Sequence, residues 1–276
     1  MYRLDLGTSI GLFDQNGLKE GFFTDLKEIK KQGFQCVEVS LGKVGGYEMH
    51  MQRCMQLVED GLKAVLDDGL VLNSVHLPFQ RFIYISSYDE GVRLWAIDEF
   101  RRLISICDNY NPKHYVFHSK TGREEEGLWD LRKPALVKSF REMVGMTRHN
   151  ICMENMVAAF PHTIEAMREI LEQVEGGKCC IDTNHFLHDK PADAILTLGQ
   201  WVSTIHVSDY DGVYEKHGMP KQGVNNWMRI IGALEKIGYN RPFMYEVRRP
   251  EYGYSYTDIR ENYEKLFEEY AKYSSR

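Results

Sequence analysis

No stretch of this chain approaches the roughly 20 consecutive apolar residues that span a bilayer. Met1-Tyr2-Arg3-Leu4-Asp5 enters a polar/apolar alternation at once, without signal-peptide anatomy. A basic excess is missing too. The 34 Lys+Arg stand against 40 Asp+Glu, a formal charge of −6, so a surface built throughout for nucleic acid is not expected. Proline is sparse, at eight residues, and no Ser/Pro/Gly-rich linker or shift in composition divides the chain. One domain over 1–276 is therefore expected. The six cysteines (Cys36, Cys54, Cys107, Cys152, Cys179, Cys180) form no Cys-x-x-Cys pair. The adjacent Cys179 and Cys180 would point to opposite faces of a strand. Free thiols in a reducing cytoplasm are the simpler reading. Two phosphate-binding loops are absent as well. Leu6-Gly7-Thr8-Ser9-Ile10-Gly11 lacks the Gly-x-Gly-x-x-Gly spacing, and no Gly-x-x-x-x-Gly-Lys-Ser/Thr occurs.

What is present is the composition of a folded globular protein, 43% hydrophobic and 12% aromatic, with ample apolar surface to offset chain entropy. Short β-like runs alternate with long amphipathic stretches. The strand candidates are Leu4–Thr8, Gln35–Ser40, Val71–His76, His114–His118, Ile151–Glu154, Cys179–Asp182, Thr204–Val207 and Phe243–Val247. From Asp5 to Phe243 they recur about every 34 residues, the length of one βα unit. Helical patterns fill the gaps, at Leu18–Lys31, Tyr47–Asp68, Asp89–Asn109, Lys133–Arg148, Thr163–Gln173, Ala192–Leu198, Asn226–Ile237 and Thr257–Ala271. Gly33 and Gly238 sit where helices should stop. Strict βα alternation implies parallel strands with right-handed crossovers. Eight units predict one closed (β/α)8 TIM barrel.

Catalysis on such a barrel sits at the C-terminal ends of the strands. Six successive candidates end there in ionisable residues: His76, His118, Glu154, Asp182, His206 and Glu246, with His185 three residues after Asp182. Six buried ionisable groups at one end of a barrel are untenable without compensation. No Lys or Arg lies inside these strands beside the acids, so a divalent metal is the expected compensator. Glu154, Asp182, His206 and Glu246 give three carboxylates and an imidazole, a set suited to Mn²⁺, Mg²⁺ or Co²⁺ and acceptable to Zn²⁺. The bland alternative is a network of buried ion pairs with Lys or Arg. His76, His118 and His185 are expected to contact substrate or support ligands. His50, His114, His149, His162 and His188 fall away from the active face and are assigned nothing.

The loop after the seventh strand, 208–223, is long and polar, which favours function. Glu215 and His217 alternate around Lys216 and could face the site together; a solvated surface loop is the alternative. Arg248, Arg249 or Lys120 could hold an anionic substrate group.

On these residues the chain resembles the xylose isomerase-like barrels, often called sugar phosphate isomerases/epimerases. The resemblance covers essentially the whole chain. Its most specific parts are Val75-His76-Leu77-Pro78, Glu154-Asn155, Asp182-Thr183-Asn184-His185, the element from His206-Val207-Ser208-Asp209 through His217 to Pro220 and Gly223, and Tyr245-Glu246. It implies that Glu154, Asp182, His206 and Glu246 bind one catalytic divalent metal. The pair Glu154 and Glu246 would exchange protons with substrate carbons. The resulting expectation is an isomerase or epimerase of a small sugar, keto-sugar or polyol, working through an enediolate. His76, His118, His185, His217 and Arg248 would bind the substrate.

The same superfamily holds endonuclease IV-type enzymes, which cut abasic DNA with three zinc ions. Their ligands would match His76, His118, Glu154, Asp182, His185, His206, Glu215, His217 and Glu246, so His76, His118, His185, Glu215 and His217 are candidate ligands of further metals. Two departures weaken that reading. Glu215 replaces an Asp, and Ser119-Lys120 replaces a Pro-Gly turn. The ketose 3-epimerase branch carries a Glu and an Arg where this chain has Phe160 and Gly212. A small carbohydrate partner is expected, with no nucleic acid and no membrane; a homo-oligomer is left open.

Overall fold

The fold is taken from a computed structural model, which describes residues 2–14, 17–42, 52–79, 83–119, 127–157, 160–186 and 189–275. Eight parallel strands close into a barrel: β1 (Leu6–Gly11), β2 (Cys36–Ser40), β3 (Val71–His76), β4 (His114–Phe117), β5 (Asn150–Glu154), β6 (Lys178–Asp182), β7 (Val202–Val207) and β8 (Phe243–Tyr245). Each pairs with its sequence neighbour. Closure comes from β1, which pairs with β2 on one side and β8 on the other. The predicted (β/α)8 barrel is the observed one.

Helices α1 (Phe22–Lys31), α2 (Gln52–Asp67), α3 (Glu90–Cys107), α4 (Trp129–Val144), α5 (Ile164–Leu171), α6 (Pro191–Leu198), α7 (Trp227–Lys236) and α8 (Tyr256–Ser274) follow successive strands. The starts of α3, α5, α7 and α8 carry side-chain caps that satisfy the first free backbone N–H groups. Asp89 accepts from the N–H of Gly91 and Val92, Asn226 from that of Arg229, and Ser255 forms a capping box with Asp258. Gly33 and Gly238 close α1 and α7 at positive φ, as their placement predicted. No helix among the described residues is long and apolar enough to cross a membrane.

Two-residue periodicity divides each strand between two cores. In β2, Val37 and Val39 join the large cluster between strands and helices. The alternate residues Cys36, Glu38 and Ser40 share the opposite face, where Cys36 approaches Gly7 and Met244. Val116, Cys152 and Cys180 form a separate small cluster inside the barrel. Most strand boundaries fall within two residues of expectation. β1 starts at Leu6 rather than Leu4 and runs on to Gly11, carrying Ser9 toward the catalytic end. β8 stops at Tyr245, so Glu246 lies just past it, and α4 begins a turn earlier than expected, at Trp129. A small antiparallel hairpin, Phe13–Asp14 with Gly17–Leu18, was not foreseen.

Candidate active site

Parallel register aligns the strand ends. Ser40 pairs with His76, and Asp182 with His206. Because side chains alternate, these residues and Glu154 point inward in one layer, joined by His118 and Glu246 one position beyond their strands. Above the layer opens a cavity of about 790 Å³, lined by Ser9, His76, His118, Glu154, His217 and Glu246 among others.

Three groups of donor atoms come together, each spanning no more than 4.8 Å: His76, His118 and Glu154; Glu154, Asp182, His206 and Glu246; and Asp182, His185 and His217. The tetrad expected from sequence is thus one spatial group, and Glu154 and Asp182 tie it to the other two.

Four histidines are each oriented by a hydrogen bond from one ring nitrogen. His76 Nδ1–H donates to the Leu77 carbonyl at 2.9 Å, leaving Nε2 3.0 Å from Glu154 Oε2. His185 Nδ1–H donates to the Asn155 carbonyl at 2.9 Å, and His217 Nδ1–H to the Glu246 carbonyl at 3.1 Å. His206 Nε2–H donates to Glu38 Oε2 at 3.0 Å, and its Nδ1 lies 2.9 Å from Glu246 Oε2 and 3.2 Å from Glu154 Oε1. His76 and His206 thus turn their other nitrogen to the tetrad's glutamates, the arrangement of a metal-ligating imidazole, whereas the second nitrogens of His185 and His217 face Glu215.

Glu38 was missed in the sequence. It is fully buried in the barrel and accepts from Ser9, Ser74 and His206. The signal was there, an acid in the middle of the apolar run Cys36-Val37-Glu38-Val39, but attention to strand ends passes over it.

Electrostatics follow from burial and crowding. Burial disfavours charge on His206, yet Cys180, Glu38, Glu246 and Glu154 raise its pKa well above the ordinary imidazole value. His185 is likewise raised against burial, chiefly by Asp182 and Glu154. Burial prevails at His118, which is lowered. Against the same desolvation, His206 and His118 hold Glu154 well below the usual carboxylate range. His206 and His217 bring Glu246 down to about 2. Asp182 goes the other way, pushed up to about 7 by burial. The ion-pair partners of Glu38, Glu154, Asp182 and Glu246 among the described residues are all histidines. A Lys/Arg network does not account for these acids. Asp182 Oδ2 and Glu246 Oε2 are buried without a hydrogen-bond partner. Orphaned carboxylate oxygens beside imidazole nitrogens are the donors a divalent cation takes.

The loop after β7 is held from beneath. Asp209 accepts from the N–H groups of Tyr210, Lys221 and Asn225 and from Trp227 Nε1, at 2.9–3.1 Å. At Gly223 a Cβ would lie 2.1 Å from the Tyr210 carbonyl oxygen, so this crossing admits glycine alone. Asn184 Oδ1 accepts from the N–H of both Lys216 and His217, fixing His217 at a φ of 49° that side chains rarely adopt. The loop delivers Glu215 as well, 2.9 Å from His217 Nε2.

A family profile described as xylose isomerase-like TIM barrel matches residues 26–272. The chain belongs to that family. An uncharacterized protein of Methanocaldococcus jannaschii is 23% identical over 246 residues, 85% of this chain and 90% of the relative. Among solved structures, D-psicose 3-epimerase of Clostridium cellulolyticum with D-tagatose superposes with a TM-score of 0.71 at 15% identity, covering 98% of this chain and 99% of that one. D-allulose 3-epimerase of Methylomonas sp. in complex with D-allulose gives 0.74 at 13%, covering 97% of each. A Thermus thermophilus protein soaked with zinc chloride gives 0.70 at 21%, covering 96% of this chain and 99% of that one. At these identities the likeness is one of fold.

Within this xylose isomerase-like barrel the remaining candidates separate. Arg248 lines the cavity but pairs with Glu215 at 2.9 Å. Arg249 pairs with Asp25 and lies over the Tyr256 ring, outside the cavity lining. Lys120, His50 and His188 lie outside the described residues. His114 is buried at the start of β4, at the barrel's opposite end.

Proposed function

We propose that this chain is a divalent-metal-dependent isomerase or epimerase of a small sugar, keto-sugar or polyol derivative. The observation that carries the reading is the placement of Glu154 and Glu246. Both share one donor group with Asp182 and His206, and both line one cavity of a size that small-molecule sites have. The fold likeness to sugar 3-epimerases supports it. Phe160 and Gly212, where the ketose 3-epimerases carry Glu and Arg, keep that branch's particular activity from being assigned.

Glu154, Asp182, His206 and Glu246 would hold one Mn²⁺, Co²⁺, Mg²⁺ or Zn²⁺. When bound, the ion polarises a substrate carbonyl and the adjacent hydroxyl, acidifying the C–H between them. Proton movement falls to the two glutamates. Glu246 lines the cavity with its side chain 27% exposed, against 1% for Glu154, so it takes the proton from carbon. Glu154 returns one to the other face or the neighbouring carbon, drawing it from His76, whose Nε2 lies 3.0 Å from Glu154 Oε2 and whose pKa, against burial, that carboxylate raises. His185 and His217 steady substrate hydroxyls. Removing the metal with EDTA should abolish turnover, and Mn²⁺ or Co²⁺ should restore it. Full activity in metal-free protein would overturn the reading.

One observation favours a second reading, a zinc phosphodiesterase of the endonuclease IV type. The two outer donor groups, with Glu215 beside His217, supply ligands for further ions. Against it, Arg248 is the one Lys or Arg among the described cavity-lining residues, and it is already paired. A nuclease needs cations for its phosphates.

A further inference from the structure

We infer that Glu38 is a positioning residue, the carboxylate that holds His206 with its proton on Nε2 and its Nδ1 turned into the tetrad. The inference rests on the metal-dependent reading of that tetrad. Glu38 stands in the middle of β2, its side chain inside the barrel and fully shielded from solvent. A carboxylate there is costly unless its lone pairs are taken, and they are. Oε1 accepts from Ser9 Oγ at 3.0 Å; Oε2 accepts from Ser74 Oγ at 2.8 Å and from His206 Nε2 at 3.0 Å. No Lys or Arg among the described residues pairs with it. The charged acceptor therefore faces the one ring whose other nitrogen touches both glutamates of the proposed proton exchange.

The geometry has a chemical consequence. An imidazole whose Nε2–H donates to a carboxylate is fixed in one tautomer and orientation, and the nitrogen left free is the more basic for it. His206 then meets a cation through Nδ1 without first reorienting. The Ser9 and Ser74 hydroxyls occupy lone pairs that His206 leaves open. A carboxylate kept merely for packing would leave the His206 tautomer and the metal affinity unaffected by its loss.

The test compares the metal-free full-length chain with Glu38→Gln, Glu38→Ala and Ser74→Ala, titrating Co²⁺ and following visible absorption. Glu38→Gln retains an acceptor oxygen for His206 without the charge, and Glu38→Ala loses both. The Co²⁺ dissociation constant should rise about 10-fold in the first and up to about 100-fold in the second, the range found for partners of ligating histidines. Ser74→Ala, which touches Glu38 but not His206, should stay within about twofold. If Glu38→Ala does not fold, Glu38→Gln carries the comparison. The second readout is the Nε2–H of His206 in ¹⁵N-resolved spectra, protected from exchange by Glu38 in wild type and no longer protected in Glu38→Ala. Co²⁺ affinity within twofold of wild type in both Glu38 variants would overturn the inference. A wild-type chain that takes up no Co²⁺ would instead fail the metal-dependent reading. The His206 resonance needs no metal and still decides the role of Glu38, which an unchanged signal in Glu38→Ala refutes.

Discussion

Glu246 has a freedom that Glu154 lacks, and that difference makes it the sharper place to cut. Glu154 is 1% exposed and contacts four histidines, whereas Glu246 opens to the cavity. Glu246→Gln keeps the shape and removes the proposed base. Turnover should fall about 10²–10⁴-fold, the usual worth of a positioned general base, with the far- and near-ultraviolet circular dichroism of wild type. Retention of most activity would remove the glutamate pair. At this scale the sequence was legible where an apolar run ended in an ionisable residue, because that pattern has few innocent explanations. Glu38 escaped because an acid within a strand is invisible until the barrel supplies its partner from β7, far along the chain. Which nitrogen each histidine offers is likewise set by carbonyls and carboxylates that no spacing reveals.

A second residue tests the barrel's other end. His114 accepts from Asn150 and Ser203 through Nδ1, and burial, with Arg241 and Lys113 nearby, pushes its pKa down to about 3. The unfolded chain's imidazole titrates near 6.5. Between those values the unfolded state binds a proton that the native state refuses. The contribution is therefore present above 6.5 and is lost as pH falls toward 3. From pH 7.5 to 5 this one group should lower stability by roughly 2 kcal/mol. Urea unfolding of His114→Gln should show a pH dependence flatter than wild type by about that amount. An identical slope would mean that His114 is not held neutral.

Among the elements, strands and helices were readable from periodicity and caps, since each is dictated within its own few residues. The loop after β7 was not. Its polarity marked it, but what holds it is Asp209, a single carboxylate that gathers four donors from Tyr210, Lys221, Asn225 and Trp227. Asp209→Ala leaves those donors without their acceptor in a buried place. The cost should be about 3–5 kcal/mol, concentrated in the loop. Hydrogen exchange should rise steeply over 209–226 while the amides of β4 and β5 keep their protection. Uniform exchange across the barrel would show that the loop does not depend on this anchor.

At the scale of the molecule, the two readings of the site differ in what must approach it. A polyanion brings its charge from far away, and the chain's −6 repels it at long range. Cations close to the cavity would have to reverse that, and among the described lining residues there is Arg248, already engaged by Glu215. A nuclease on this barrel would also betray itself through salt, because each phosphate neutralised contributes a slope of about −0.9 in log K against log salt. The expectation is no measurable binding or incision of an abasic-site duplex near physiological ionic strength, with the metal sites loaded. A neutral polyol meets none of these barriers. On the proposed reading it needs the Glu154–Glu246 pair and imidazoles to meet its hydroxyls, and both sets of side chains line the cavity. Incubation in D₂O with a panel of keto-sugars and metal-loaded protein should place deuterium on a carbon flanking the carbonyl. That exchange should disappear in Glu246→Gln. Efficient, metal-dependent incision of the abasic strand, with a salt slope of several phosphates and no exchange into any sugar, would transfer the whole assembly of donors to phosphodiester chemistry.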